Sequence, residues 1–222
     1  VKPATGTGAA TLQPSLPRSH RHRLATDFSL ATAVKTPTAT ASFDLPDADA
    51  TAVLGARLAT AIALQACAVE RDGLVLTLSG DLGSGKTTLV RGLLRALGVQ
   101  GPIKSPTFAL LESYPLAAEA VSRLSLYHSD FYRFRDESEF SQTGFRELFG
   151  PAAICAIEWP ERVGERLPTP DLAITLQVTG EGRRAAIAAF SPTGVACLTA
   201  MSSPTADAAA TAGRVSSPRA VS

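Results

Sequence analysis

The eight residues Gly80-Asp81-Leu82-Gly83-Ser84-Gly85-Lys86-Thr87 constrain this chain more than any other stretch. They satisfy GxxxxGK[ST] and follow Leu74-Val75-Leu76-Thr77-Leu78, a short run of apolar residues and β-formers that reads as a buried strand. They open into TTLVRGLLRAL, which has helical spacing and is stopped by Gly98. A strand that enters a glycine loop and leaves as a helix aims backbone N–H groups and a positive helix end at an anion. The expected fold is therefore α/β, a three-layer P-loop NTPase-type domain with a central mixed β-sheet. Lys86 is expected to reach the β- and γ-phosphates of a nucleotide, and the Thr87 hydroxyl to ligate Mg²⁺. Asp81, Leu82, Gly83, Ser84 and Gly85 form the cradle, and Thr88 follows in the helix.

A magnesium–nucleotide site also needs acids at the ends of neighbouring strands, to hold the metal's water shell and to orient the attacking water. Glu158 follows the apolar run Ala153-Ile154-Cys155-Ala156-Ile157, and Asp130 follows Leu124-Ser125-Leu126-Tyr127-His128. The residues alone do not divide the two roles between these acids. Lys86, Asp130 and Glu158 are the catalytic candidates, and Thr87 with Glu158 the metal candidates. Thr107, in Lys104-Ser105-Pro106-Thr107-Phe108, offers a second hydroxyl for sensing the γ-phosphate, or is part of a Ser-Pro turn. Trp159 is a candidate for packing on nucleotide or partner, and equally for the core. His128 reads as a structural histidine or a base, and Arg133 as a phosphate or carboxylate ligand.

Elsewhere, Asp47 or Asp49 can cap a helix whose apolar residues Val53, Leu54, Leu58, Ala61 and Ile62 recur at threes and fours. Residues 172–178 and 184–190 flank Gly180-Glu181-Gly182 as an antiparallel hairpin. Residues 1–42 and 201–222 lack sustained periodicity, are rich in Ala, Thr, Ser and Pro, and read as flexible tails around a domain at 43–200. The first of them is basic, as targeting segments are, but shows no compact apolar region with a cleavage site. Within 43–200 there are 14 basic and 18 acidic residues, a balance that does not favour direct gripping of a polyphosphate chain. No apolar run approaches membrane-spanning length, so no membrane role is expected. Three scattered cysteines without a CxxC pair fit a reducing, cytoplasmic compartment.

No NKxD-like guanine-reading element follows the loop, and no arginine-rich lid suggests a small-molecule kinase. Taken together, LPDADAT, GDLGSGKTTLVRGLLRALG, KSPTFALLESY, LYHSDFYRF and ICAIEWPER resemble the bacterial TsaE (YjeE) family, the ATPase of tRNA threonylcarbamoyladenosine biosynthesis. The likeness runs from about Asp44 to Phe190. It implies a small domain that binds ATP and Mg²⁺ and hydrolyses ATP weakly until it meets the TsaD and TsaB proteins. Those partners modify adenosine 37 of tRNAs reading codons that begin with A, so tRNA is expected to be met only through the complex. By the same resemblance Thr107 is the nucleotide-sensing threonine, Asp130 the required aspartate of HxDxYR, and Glu158 the magnesium-associated glutamate of EWP. Trp159 also matches, and Leu45, Pro46 and Asp47 are expected near the adenine.

Overall fold

Leu74–Ser79 is apolar at four of its six positions because it runs between two parallel neighbours and is covered on both faces. The strands in chain order are β1 (Ala39–Leu45), β2 (Leu74–Ser79), β3 (Leu111–Pro115), β4 (Ser125–Asp130), β5 (Ala153–Glu158), β6 (Leu172–Thr179) and β7 (Gly182–Ala189). In this computed structural model they form one mixed sheet of order β1-β7-β6-β2-β5-β4-β3. The four central strands, β6, β2, β5 and β4, are parallel, while β3, β7 and β1 pair antiparallel at the two sides. The structure describes residues 36–203 except Thr107, Phe108 and Asp136, and these belong to one compact unit.

The helices are α1 (Ala48–Leu64), α2 (Ala66–Asp72), α3 (Lys86–Ala96), α4 (Glu137–Gln142) and α5 (Pro192–Ser202). Of the two expected caps for α1 it is Asp47 that serves, its Oδ1 accepting the Ala50 N–H at 2.7 Å. Helices α1, α3 and α5 bury Leu54, Leu58, Ile62, Leu89, Leu93, Leu94 and Leu198 in one core with Leu74, Leu76, Leu78, Leu126 and Ile154 of the sheet. Each such leucine contributes roughly 1.5–3 kcal/mol by leaving water. The close approach of α1 and α3 depends on two glycines. A Cβ on Gly92 would stand 2.1 Å from the Ala52 carbonyl oxygen, and one on Gly55 would stand 2.2 Å from that of Leu89.

The opposite face is covered more thinly. Phe131, Phe134, Phe140 and Phe145 form a ring cluster there with Cys155, Ile157 and Val163, the Phe131 and Phe145 rings meeting edge to face at 5.2 Å. Alternation along β4 and β5 thus sends Cys155 and Ile157 to the aromatic side. It sends Ile154 and Ala156 to the helix side.

Two boundaries differ from the sequence reading. Strand β1 begins at Ala39, inside the stretch 1–42 read as tail, and α5 continues to Ser202, past the expected end at 200. Pairing with β7 recruits Ala39–Ser42 into the sheet, and Ser191 caps α5 by accepting the Gly194 N–H at 3.0 Å. Residues 1–35 and 204–222 lie outside the described residues. Among those described, no single helix is long and apolar enough to cross a membrane, and α1 and α2, which together have the length, meet at a bend of 78°.

Candidate nucleotide site

The parallel centre of the sheet brings the ends of β2, β5 and β4 side by side, the crevice where open α/β sheets bind ligands. From β2 the chain enters the glycine loop. Gly80, Gly83 and Gly85 have φ of 134°, 80° and 105°, values that L-residues rarely adopt. The Ser84 N–H closes on the Asp81 carbonyl at 3.1 Å, and Gly85 delivers the chain into α3.

Lys86 opens α3 and is buried. Its Nζ donates to the carbonyl oxygens of Gly80 at 2.7 Å and Asp81 at 3.0 Å and lies 4.0 Å from the centre of the Trp159 ring. An ammonium has three donors, so one is left for a phosphate oxygen. Burial pushes this ammonium below the usual lysine range, opposed by the charges of Glu158, Asp130, Glu161 and Asp81.

The next residue makes the contact that organises the site. Thr87 Oγ1 donates to Glu158 Oε1 at 2.8 Å, joining the first turn of α3 to the end of β5. The same carboxylate oxygen meets His128 Nε2 at 2.8 Å. His128 and Glu158 are both buried. Asp130 is the register partner of Glu158 across the parallel β4–β5 pair, so the two acids leave the sheet on the same face. Asp130 is also buried, and its Oδ1 accepts the Tyr132 N–H at 2.9 Å. Trp159 takes a left-handed conformation, φ 59° and ψ 50°, immediately before Pro160, and packs 4.9 Å from the Tyr132 ring. Strain of this kind is characteristic of ligand sites.

The structure thus gathers Asp81, Ser84, Gly85, Lys86, Thr87, Asp130, Glu158 and Trp159 around one loop. Leu82 projects from that loop, 75% exposed, and Gly83 has open space around it. Thr88 lies half-buried in the first turn of α3. Leu45 is buried at the end of β1, with Pro46 exposed after it and Asp47 capping α1. These three reach the loop through their neighbours. Thr51, in the first turn of α1, is 3.3 Å from where a Cβ of Gly85 would stand, and Leu45 pairs in register with Arg183. Thr107 lies outside the described residues. Sequence reasoning missed Arg183, whose Nε donates to the Ser84 carbonyl at 3.1 Å, and no local motif marks it.

Residues 45–186 match the sequence model of the family described as Threonylcarbamoyl adenosine biosynthesis protein TsaE. The chain belongs to this family. It is similar to the tRNA threonylcarbamoyladenosine biosynthesis proteins TsaE of Haemophilus influenzae, 40% identical over 110 residues, and of Bacillus subtilis, 40% identical over 124 residues. These matches take in 50% and 56% of the chain, and 66% and 74% of the two relatives. The chain therefore spans just under two thirds of the first relative's length and rather more of the second's. The fold is similar to the crystal structure of Bacillus subtilis YdiB, with a TM-score of 0.58 and 26% identity, covering 74% of this chain and 95% of that one. The TsaE family is one of P-loop ATPases, and membership implies the nucleotide and divalent-metal binding typical of such proteins.

Proposed function

We propose that this chain is a Mg²⁺-dependent ATPase accessory to a TsaB–TsaD complex. That complex forms threonylcarbamoyladenosine at position 37 of tRNAs reading codons that begin with A. The observation that carries the reading is the Thr87–Glu158 hydrogen bond directly behind the glycine loop. It places a hydroxyl and a carboxylate together where a nucleotide-bound magnesium needs hard oxygen partners.

The donor set fits the metal. Among the described residues no group of three or more His, Cys, Asp and Glu could hold an ion by itself. Magnesium, which keeps its waters and is bound by one or two protein oxygens plus phosphates, needs no such cage. Thr87 and Glu158 would hold it, and when bound it would supply positive charge to the phosphates. Lys86 supplies fixed positive charge to the β- and γ-phosphates from an ammonium already held by two loop carbonyls. Asp130, buried in register with Glu158 at the end of β4, is assigned the orientation of the attacking water. Trp159 walls the lysine against solvent, and Leu45, Pro46 and Asp47 border the adenine side.

The core's excess of acids suits a protein that meets tRNA only through its partners, in the cytoplasm. The test is steady-state ATP hydrolysis with Mg²⁺, by the chain alone and with the TsaB–TsaD complex of its source, with Glu158→Ala as control. Strong stimulation by the partners that the variant loses is the expected result. Equal binding of ATP by both proteins with no turnover in either would make the chain an assembly module instead.

A further inference from the structure

His128 is the one histidine among the described residues, and its side chain is fully buried, 0% exposed. Its Nε2 lies 2.8 Å from Glu158 Oε1, which also accepts the Thr87 hydroxyl at 2.8 Å. Its Nδ1 is buried and has no hydrogen-bond partner among the described residues. Two acceptors do not face each other at that distance, so Nε2 carries the proton and donates it to the carboxylate. The Nε2–H of His128 is thus spent on Glu158.

Each oxygen of a carboxylate has about two lone-pair sites, and on Oε1 the two are taken by Thr87 and His128. Rotation of the Glu158 carboxylate would break both bonds, so its second oxygen is held in one orientation. His128 is also placed to do this by the sheet. It lies two residues before Asp130 on β4, on the same face, and opposite Ala156, whose small side chain leaves room for the ring to reach Glu158.

We propose that His128 is a positioning residue. By donating from Nε2 it fixes the Glu158 carboxylate against Thr87 and so sets the affinity of the site for magnesium with nucleotide. This rests on the ATPase reading above. It adds to that reading a buried ligand-orienting group of the kind whose loss costs roughly 10- to 100-fold in metal affinity or activity.

The test compares His128→Gln, whose amide nitrogen reaches the place of Nε2, with His128→Asn, whose amide reaches only the place of Nδ1. In the full chain with TsaB–TsaD, the Mg²⁺ concentration for half-maximal ATP hydrolysis is measured, and ADP binding without metal is followed by calorimetry. His128→Asn is expected to raise the half-saturating Mg²⁺ about tenfold or more, and His128→Gln to stay within about threefold. Metal-free ADP affinity should be unchanged in both. Equal Mg²⁺ requirements in the two variants, or a parallel fall in metal-free ADP affinity, would overturn the role of His128 while the ATPase reading stands. A wild-type chain without magnesium-dependent turnover overturns that reading, and this inference with it.

Discussion

Thr87 Oγ1 and Glu158 Oε1, 71 positions apart in the chain, share one hydrogen bond of 2.8 Å that ties the nucleotide loop's helix to the central sheet. A hydroxyl can donate to the carboxylate while offering its lone pairs to a cation, so this bond is compatible with the proposed magnesium rather than a competitor for it. Thr87→Ser, which keeps the hydroxyl, should retain ATP turnover within about threefold, and Thr87→Val should lose about 100-fold or more. Because the two groups act as a unit, adding Glu158→Ala to Thr87→Val should cost little further. Fully multiplicative losses in this double-mutant cycle, measured as kcat, would separate the two residues.

The contact between α1 and α3 makes a prediction about stability alone. A methyl group on Gly92 has nowhere to go, since Ala52 backbone lies 2.1 Å from its position. The two helices must part, at a cost of about 1–3 kcal/mol for overpacking. Gly92→Ala should therefore lower the melting temperature by several degrees. Gly144, where the added Cβ meets nothing within 4 Å, gives a control in which only the left-handed backbone is penalised.

What was readable in the sequence was what is local. The strand, glycine loop and helix around Gly80, the Asp47 cap and the hairpin through Gly180 each announce themselves within a dozen residues. Glu158 was readable because a buried strand ends at it. Strand β1 was not. Its ATASFDL is as rich in alanine, threonine and serine as the tail before it, and it becomes a strand through pairing with distant β7. Helix α5 was hidden for the same compositional reason and is fixed by packing of Cys197, Leu198 and Met201 on the core. His128 was visible, but its partner is 30 residues away and only the parallel pairing of β4 with β5 brings them together.

The three cysteines should separate cleanly by reactivity. Cys67 is exposed, whereas Cys155 and Cys197 are buried and burial pushes both thiols up to about 12. The thiolate is the reactive form, so the buried pair is protected twice, by access and by protonation. A disulfide reagent at neutral pH should modify one thiol per chain quickly and the other two only after denaturation. Rapid modification of all three in the native protein would contradict the core packing around β5 and α5.

Arg183 offers a test of how the hairpin shapes the nucleotide site. It arrives on β7, and its Nε donates to the Ser84 carbonyl at 3.1 Å while its side chain lies 3.4 Å from the position a Gly85 Cβ would take. A hydrogen bond of this kind contributes about 1 kcal/mol net, and here it ties the Ser84 carbonyl of the loop to β7. Arg183→Met keeps much of the aliphatic stem and removes the donor. ADP affinity should fall about fivefold, by the same amount with and without Mg²⁺, because the residue binds the loop backbone and not Thr87 or Glu158, the proposed metal partners. Calorimetry reads both affinities. A loss confined to the Mg²⁺ condition would place Arg183 with the metal site, and unchanged affinity would mean that the glycine loop holds its shape without the hairpin.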